Sequence, residues 1–166
     1  MKYDGHSELV KAGPRRLQDA QELLEPPTLE PNRSDANYRH LCAAQYLAGY
    51  AVECVLKAYI ILLLDQRSNQ HFARWSQVIS HFAKQPSGSN LSGAASHDLK
   101  ELIDVSELEQ ELDSDEQMKR NWGICNKWDY NTRYRPDPMM NCARVAEFVD
   151  ACRATSEWVR NRLPFH

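Results

Sequence analysis

Apolar residues recur along this chain at the three- and four-residue spacing of amphipathic helices. No segment alternates between apolar and polar positions as a half-buried strand would. The first helix is predicted to start at Pro14, a residue suited to a first turn. PRRLQDAQELLE then sets Leu17, Ala20, Leu23 and Leu24 on one face. The three prolines of PPTLEPNR, residues 26–33, end it. Ser34 or Asp35 can cap a second helix running to about Gln66, roughly 45–48 Å long. From Leu41 onward this helix is apolar on nearly every side, so other helices must surround it. Its interruptions, Gln45, Gly49, Glu53 and Lys57, step by four and draw a slowly drifting polar stripe. Gly49 allows close approach of another backbone, and Glu53 precedes Lys57 in the order that favours an intrahelical ion pair.

Further along, residues 71–84 (HFARWSQVISHFAK) read as a shorter helix with Trp75, Val78, Ile79 and Phe82 facing inwards. The Gly/Ser/Asn-rich stretch 85–96 reads as a loop and as the most mobile part of the chain. HDLKELI, 97–103, restarts a helix with Leu99, Leu102 and Ile103 apolar. The acidic run that follows, as far as Glu116, reads as solvated surface, and another helix is expected over 115–128. NTRYRPDP, 131–138, reads as a proline-closed loop. Met139 to Leu163 reads as the last helix, striped with Cys142, Val145, Ala146, Val149, Cys152 and Val159. The expectation is an all-α, single-domain bundle of four to five helices over 1–166, with its core at about 14–162 and one long central helix at about 35–66.

Composition narrows the function classes. With 42% hydrophobic and 26% charged residues the chain is neither collagen-like nor disordered. The net charge of −3 argues against a general nucleic-acid-binding protein, but the charge is uneven. Residues 1–118 hold 11 Lys/Arg against 18 Asp/Glu, whereas 119–166 hold 9 against 5. A basic C-terminal third can steer an anionic partner, RNA included, or it can simply attract the acidic body. Five cysteines without a CxxC pair suit a reducing cytoplasm and speak against zinc. MKYDGHSELVK lacks an apolar signal core, so a cytoplasmic location is expected. The run from Leu41 to Leu64 is long enough to span a bilayer, yet Glu53 and Lys57 sit near its middle. Two central charges cost roughly 5–7 kcal/mol on insertion scales, against a return of about 3–5 from the neighbouring aliphatic residues, so no membrane partner is expected.

Four features carry a family resemblance: PRRLQDAQELL, then YLAGYAVECVLKAYI in the long helix, then HDLKELI, then WDYNTRY before the last helix. In combination they resemble the HEPN superfamily of small helical bundles found in prokaryotic toxin–antitoxin and defence systems. The resemblance covers about 14–162. It implies a four- or five-helix bundle, often a homodimer packed along the long helices. It also implies a protein partner such as a nucleotidyltransferase, possible action on RNA or a nucleotide, and no cofactor. Many members are metal-independent ribonucleases that use an Arg-x4–6-His motif near the start of a late helix. This chain departs from that pattern, because no histidine lies between Arg120 and Leu163 and neither Arg133 nor Arg135 has a partner at that spacing.

The candidate chemistry is therefore dispersed. Arg74, six residues and His81 form a literal match elsewhere; a His base and an Arg cation suit metal-free RNA cleavage, while the same pair can serve as rim residues. His97 with Asp98 invites an acid–base reading, or a local cap. Glu53 and Lys57 form a costly charge pair in an apolar helix, able to face a groove, bind Arg133 or fix helix register. Trp128 and Tyr134, beside Arg133 and Arg135, can stack bases or anchor loop to core. No metal site is expected, and no Gly-rich phosphate loop, GxSxG elbow, HExxH or paired-carboxylate motif competes. The leading expectation is a non-catalytic or divergent HEPN-like interaction module acting with a partner. The alternative is a metal-independent ribonuclease with a displaced site drawn from Arg74, His81, His97 and Arg133.

Overall fold

The computed structural model describes residues 5–24, 34–68, 70–84, 91, 96–134 and 141–163, with the side chains of 34–39 excepted. The loop 26–33, the capping of the second helix by Ser34 or Asp35, nearly all of 85–96, Arg135 with the rest of its loop, and Met139 lie outside the described residues. Among the described residues there are seven α-helices and no strand: α1 (His6–Glu22), α2 (Ser34–Arg67), α3 (Trp75–Phe82), α4 (Leu99–Ser106), α5 (Glu109–Ser114), α6 (Glu116–Cys125) and α7 (Cys142–Arg160). A 3-10 turn spans Tyr130–Tyr134. The fold is an all-α bundle, with more helices than the four to five expected.

The extra helices have local causes. The acidic side chains of the run are exposed as expected, but Leu108 and Leu112, both 2% exposed, draw its backbone onto the core as α5. Asp115 then breaks the path, since its carboxylate accepts from the Gln117 and Met118 amides and caps α6. The first helix also differs from expectation. It begins at His6, so Pro14 lies inside it rather than at its start. An interior proline costs about 3 kcal/mol. Burying Leu9, Leu17 and Ala20 returns several times about 1.5 kcal/mol, and Gly13 brings α1 tightly against α2. A Cβ at Gly13 would lie 2.7 Å from Val55 Cγ2.

The 34-residue α2 is the axis of the bundle, with α1, α3, α4 and α7 packed around it. Residues 51–58 are buried without exception, two full turns with no solvent side. The apolar window that is long enough to cross a membrane is 72% buried by the chain's own helices, so it serves the bundle interior. In α7 the predicted stripe holds at Val145, Val149, Cys152 and Val159, joined by Phe148 and Trp158; Cys142, in the first turn, is instead exposed. Two ion pairs join the acidic body to the basic third: Arg162 to Glu111 at 2.8 Å and Lys119 to Asp113 at 3.3 Å. Part of the charge asymmetry is thus spent within the fold. Another clamp, Arg67 forked onto Glu107, holds the one non-glycine residue with positive φ among those described, at 60°, where α4 ends.

The close approach expected at Gly49 is made by a side chain rather than by another backbone. The Trp128 indole lies over it so closely that a methyl group there would run into the ring. Gly49→Ala is expected to cost about 1–3 kcal/mol through overpacking. In a thermal melt this appears as a Tm lowered by roughly 3–10 °C. Combined with Trp128→Leu, the two losses should be clearly less than additive; full additivity would show that the contact is not made.

Candidate functional site

The polar stripe of α2 faces the beginning of α3, the approach to α4 and the 3-10 turn. Glu53 is 1% exposed and Lys57 6%, and their Oε1 and Nζ are 2.5 Å apart. The same Glu53 oxygen lies 3.0 Å from His97 Nδ1, and the Lys57 ammonium stands 5.1 Å from the centre of the Trp75 ring. Burial of two charges is tolerable only because each meets a partner: the ammonium has a carboxylate and an aromatic face, and the carboxylate has an ammonium and an imidazole. Glu53 Oε2 and Trp75 Nε1 are buried and have no protein hydrogen-bond partner. His97 reaches inward because Asp98, next to it, is the N-cap of α4, its carboxylate accepting from the Lys100 amide at 2.8 Å. Asp98 thus acts on the helix rather than on His97.

A second group adjoins the first. The His97 and Tyr130 rings are 5.4 Å apart. Tyr130 begins the 3-10 turn that also carries Arg133 and Tyr134. The Arg133 guanidinium is 4.6 Å from the centre of the Tyr134 ring and 6.0 Å from those of Tyr46 and Tyr130. Hydrogen bonding to Tyr46 holds its pKa above the ordinary arginine value. Tyr134 is 71% exposed, the most exposed large hydrophobic side chain described. Tyr46 in turn stacks on Tyr50, 6.0 Å away at 6°, and leans on Trp128. Below it, Cys54 is pushed up to about 12 by burial and by the charge of Glu53. The Tyr50 hydroxyl is raised as well, first by Cys54 and then by burial. Both stay neutral near pH 7, so neither supplies a nucleophile.

Of the residues expected from sequence, Glu53, Lys57, His97, Arg133 and Tyr134 fall in this one neighbourhood, with Trp128 as its floor. Arg133 does not bind Glu53 or Lys57 directly; it lies on tyrosines, while His97 takes the carboxylate. Arg74 and His81 stand at opposite ends of α3, about 10 Å apart along its axis. Arg74 is the N-cap, its amide donating to the Gln77 side chain, and His81 meets Phe72 and Phe82 edge-on. Arg135 lies outside the described residues. Tyr46, Tyr130 and Trp75 were not among the expected site residues, although Tyr46 begins the YLAGYAVEC segment and Tyr130 stands inside WDYNTRY. Among the described residues no group of His, Cys, Asp and Glu is arranged to hold a metal ion.

Chemically, a carboxylate at Nδ1 draws the imidazole proton to that nitrogen and leaves Nε2 as the acceptor. His97, with its side chain 44% exposed, is therefore oriented as a base, and the permanent cation of Arg133 lies 6.0 Å from the Tyr130 ring that adjoins it. No protein-family model, curated protein or solved structure matches the chain.

Two measurements follow. Lys57→Met should cost about 3–5 kcal/mol by leaving a buried carboxylate without its ammonium, and Glu53→Leu/Lys57→Met should recover much of it. Chemical denaturation of both variants checks this. Of the five thiols only Cys142 is exposed, so an aromatic disulfide at pH 8 should titrate one group rapidly in the native protein and the other four only after unfolding.

Proposed function

We propose that this protein is a HEPN-like helical interaction module, a divergent member of that superfamily, which engages a partner through the Arg133–tyrosine face in a toxin–antitoxin or defence-type system. The observation that carries the reading is Tyr134, held in solvent with Arg133 stacked on it. Tyrosine and arginine are the residues that dominate binding energy when a partner covers them. The Glu53–Lys57–His97 network supports the same reading, because its bonds tie α2 to the approach to α4 and give the face a rigid base. Partners in keeping with the family resemblance are a second copy of the chain, a nucleotidyltransferase, or RNA. The two enclosed turns of α2 offer a second copy no surface, so association would use this face or the ends of the bundle.

A specific observation favours a second reading. His97 and Arg133 both lie within about 6 Å of one ring, Tyr130, the base and the cation that metal-independent RNA cleavage needs. The deciding experiment incubates the purified protein with total RNA in excess EDTA, beside His97→Ala/Arg133→Ala. The interaction module leaves the RNA intact in both samples. Cleavage by the wild type alone overturns that reading in favour of the ribonuclease. Sedimentation velocity with Arg133→Ala/Tyr134→Ala tests the face itself: any self-association or RNA binding of the wild type should weaken at least tenfold, as expected for hot-spot residues.

A further inference from the structure

A separate feature lies where α6 ends against α7. Cys125, the last residue of α6, and Cys152, midway along α7, are both 0% exposed. The Cys125 Sγ is 3.4 Å from Thr155 Oγ1, and Thr155 stands three residues beyond Cys152 on the same side of α7. The two thiols hydrogen-bond to each other. Bonds from Cys152 and Thr155 hold the Cys125 thiol below its ordinary value, whereas burial pushes Cys152 well above it. Cys125 is therefore the sulfur on which the pair's negative charge settles. All three side chains are short, which keeps small the backbone movement that an S–S bond would need. The turn that carries Cys125 is the weak point of α6. It contains Gly123, a residue that loosens a helix, and nothing packs within 4 Å of where a Cβ at Gly123 would stand. Asn126 and Lys127, next in the chain, are exposed. The Cys125 carbonyl accepts from the Trp128 amide at 2.9 Å, so the same turn seats the tryptophan that covers Gly49.

We infer that Cys125 and Cys152 form a peroxide-sensitive dithiol, which closes to a disulfide and locks the end of α6 onto α7. Opening of the last turn of α6 admits hydrogen peroxide, a molecule little larger than water. The same opening is too small for an aromatic disulfide, so both thiols stay silent to that reagent in the native protein. The Cys125 thiolate attacks one peroxide oxygen, the O–O bond breaks, and Cys125 becomes a sulfenic acid. The departing hydroxide takes up the proton that Cys125 released and leaves as water. As the turn recloses, the Cys152 sulfur attacks the sulfenic sulfur. An S–S bond forms, the S–O bond breaks, and the hydroxide that leaves carries off the Cys152 proton as a second water. Two electrons pass from the sulfurs to the peroxide, and two waters are the by-products. Once closed, the bond keeps the turn from opening, and Trp128 stays in its seat. A dithiol reductant reverses the step.

The test caps the exposed Cys142 with N-ethylmaleimide in the native protein and then adds excess hydrogen peroxide. The remaining thiols are counted by mass spectrometry after denaturation in a heavier maleimide. The expected product has lost two hydrogens and takes up two heavy labels where the untreated protein takes four. Proteolysis should release a linked peptide pair joining Cys125 to Cys152, which dithiothreitol separates. Exchange of the Trp128 amide, followed by NMR, should be at least about tenfold slower in this product and recover on reduction. Gly123→Ala, which adds a methyl group in open space, should slow disulfide formation about two- to fivefold by strengthening the turn. Four labels after peroxide, a linked pair other than Cys125–Cys152, or a bond that forms only in denaturant would overturn the assignment. An unchanged Trp128 exchange rate would overturn the lock, and an unchanged rate in Gly123→Ala would overturn entry through the last turn of α6. The outcome is independent of the RNA experiment, because it is read without a partner and neither cysteine belongs to the Arg133 face.

Discussion

A carboxylate and an ammonium sit in the middle of the most enclosed helix of this bundle, and the surrounding packing has to satisfy them. Left unpaired, either charge would cost several kcal/mol, a large part of the 5–15 kcal/mol that holds such a domain together. The pairing within α2 answers most of that demand at the favourable four-residue spacing. The rest comes from outside the helix. His97 arrives on the segment before α4, and Trp75 arrives at the first turn of α3. The one network therefore sets where α3 and α4 begin relative to α2.

The aromatic face depends on that arrangement. Gly49, one turn before Glu53, lets the Trp128 indole settle on the α2 backbone, and Trp128 delivers the 3-10 turn that follows it. The turn places Tyr130 beside His97 and Arg133 over Tyr46. A buried ion pair, a glycine and a tryptophan thus act in series to hold an arginine and a tyrosine at the surface. Rigidity of that kind favours recognition, because the side chains lose little further freedom when a partner covers them. A cleft at the end of α2 is built differently. It rests on the Asp65 carboxylate and on the Phe72 and Phe82 rings.

Several elements could be read directly along the chain. The limits of α2 fell within about a residue of expectation, because a run that is apolar on all sides has only one place in a bundle. The four-residue stripe within it identified Gly49, Glu53 and Lys57 as the positions where something other than aliphatic packing had to occur. Where the reading went astray, a tertiary contact had overridden a local preference. Pro14 suits a helix start, yet α1 begins eight residues earlier, since the face from Leu9 to Ala20 buries more than the proline costs. The acidic side chains of 107–116 are solvated as expected, yet two leucines between them reach the core and make a helix that was not expected.

What the sequence alone determined is the all-helical class, the central helix and the residue types available for chemistry. These follow from periodicity, from composition and from the cost of burying a charge, all of which are local properties. Only the tertiary structure decided the partnerships. Arg74 and His81 match a motif by spacing and are held apart by the straightness of α3. His97 and Arg133 are 36 positions apart in the chain and both adjoin a single ring. His71 and His81 become neighbours in one cleft because Phe72 packs between the end of α2 and α3. Such pairings depend on distance through space, and a linear pattern carries no term for it.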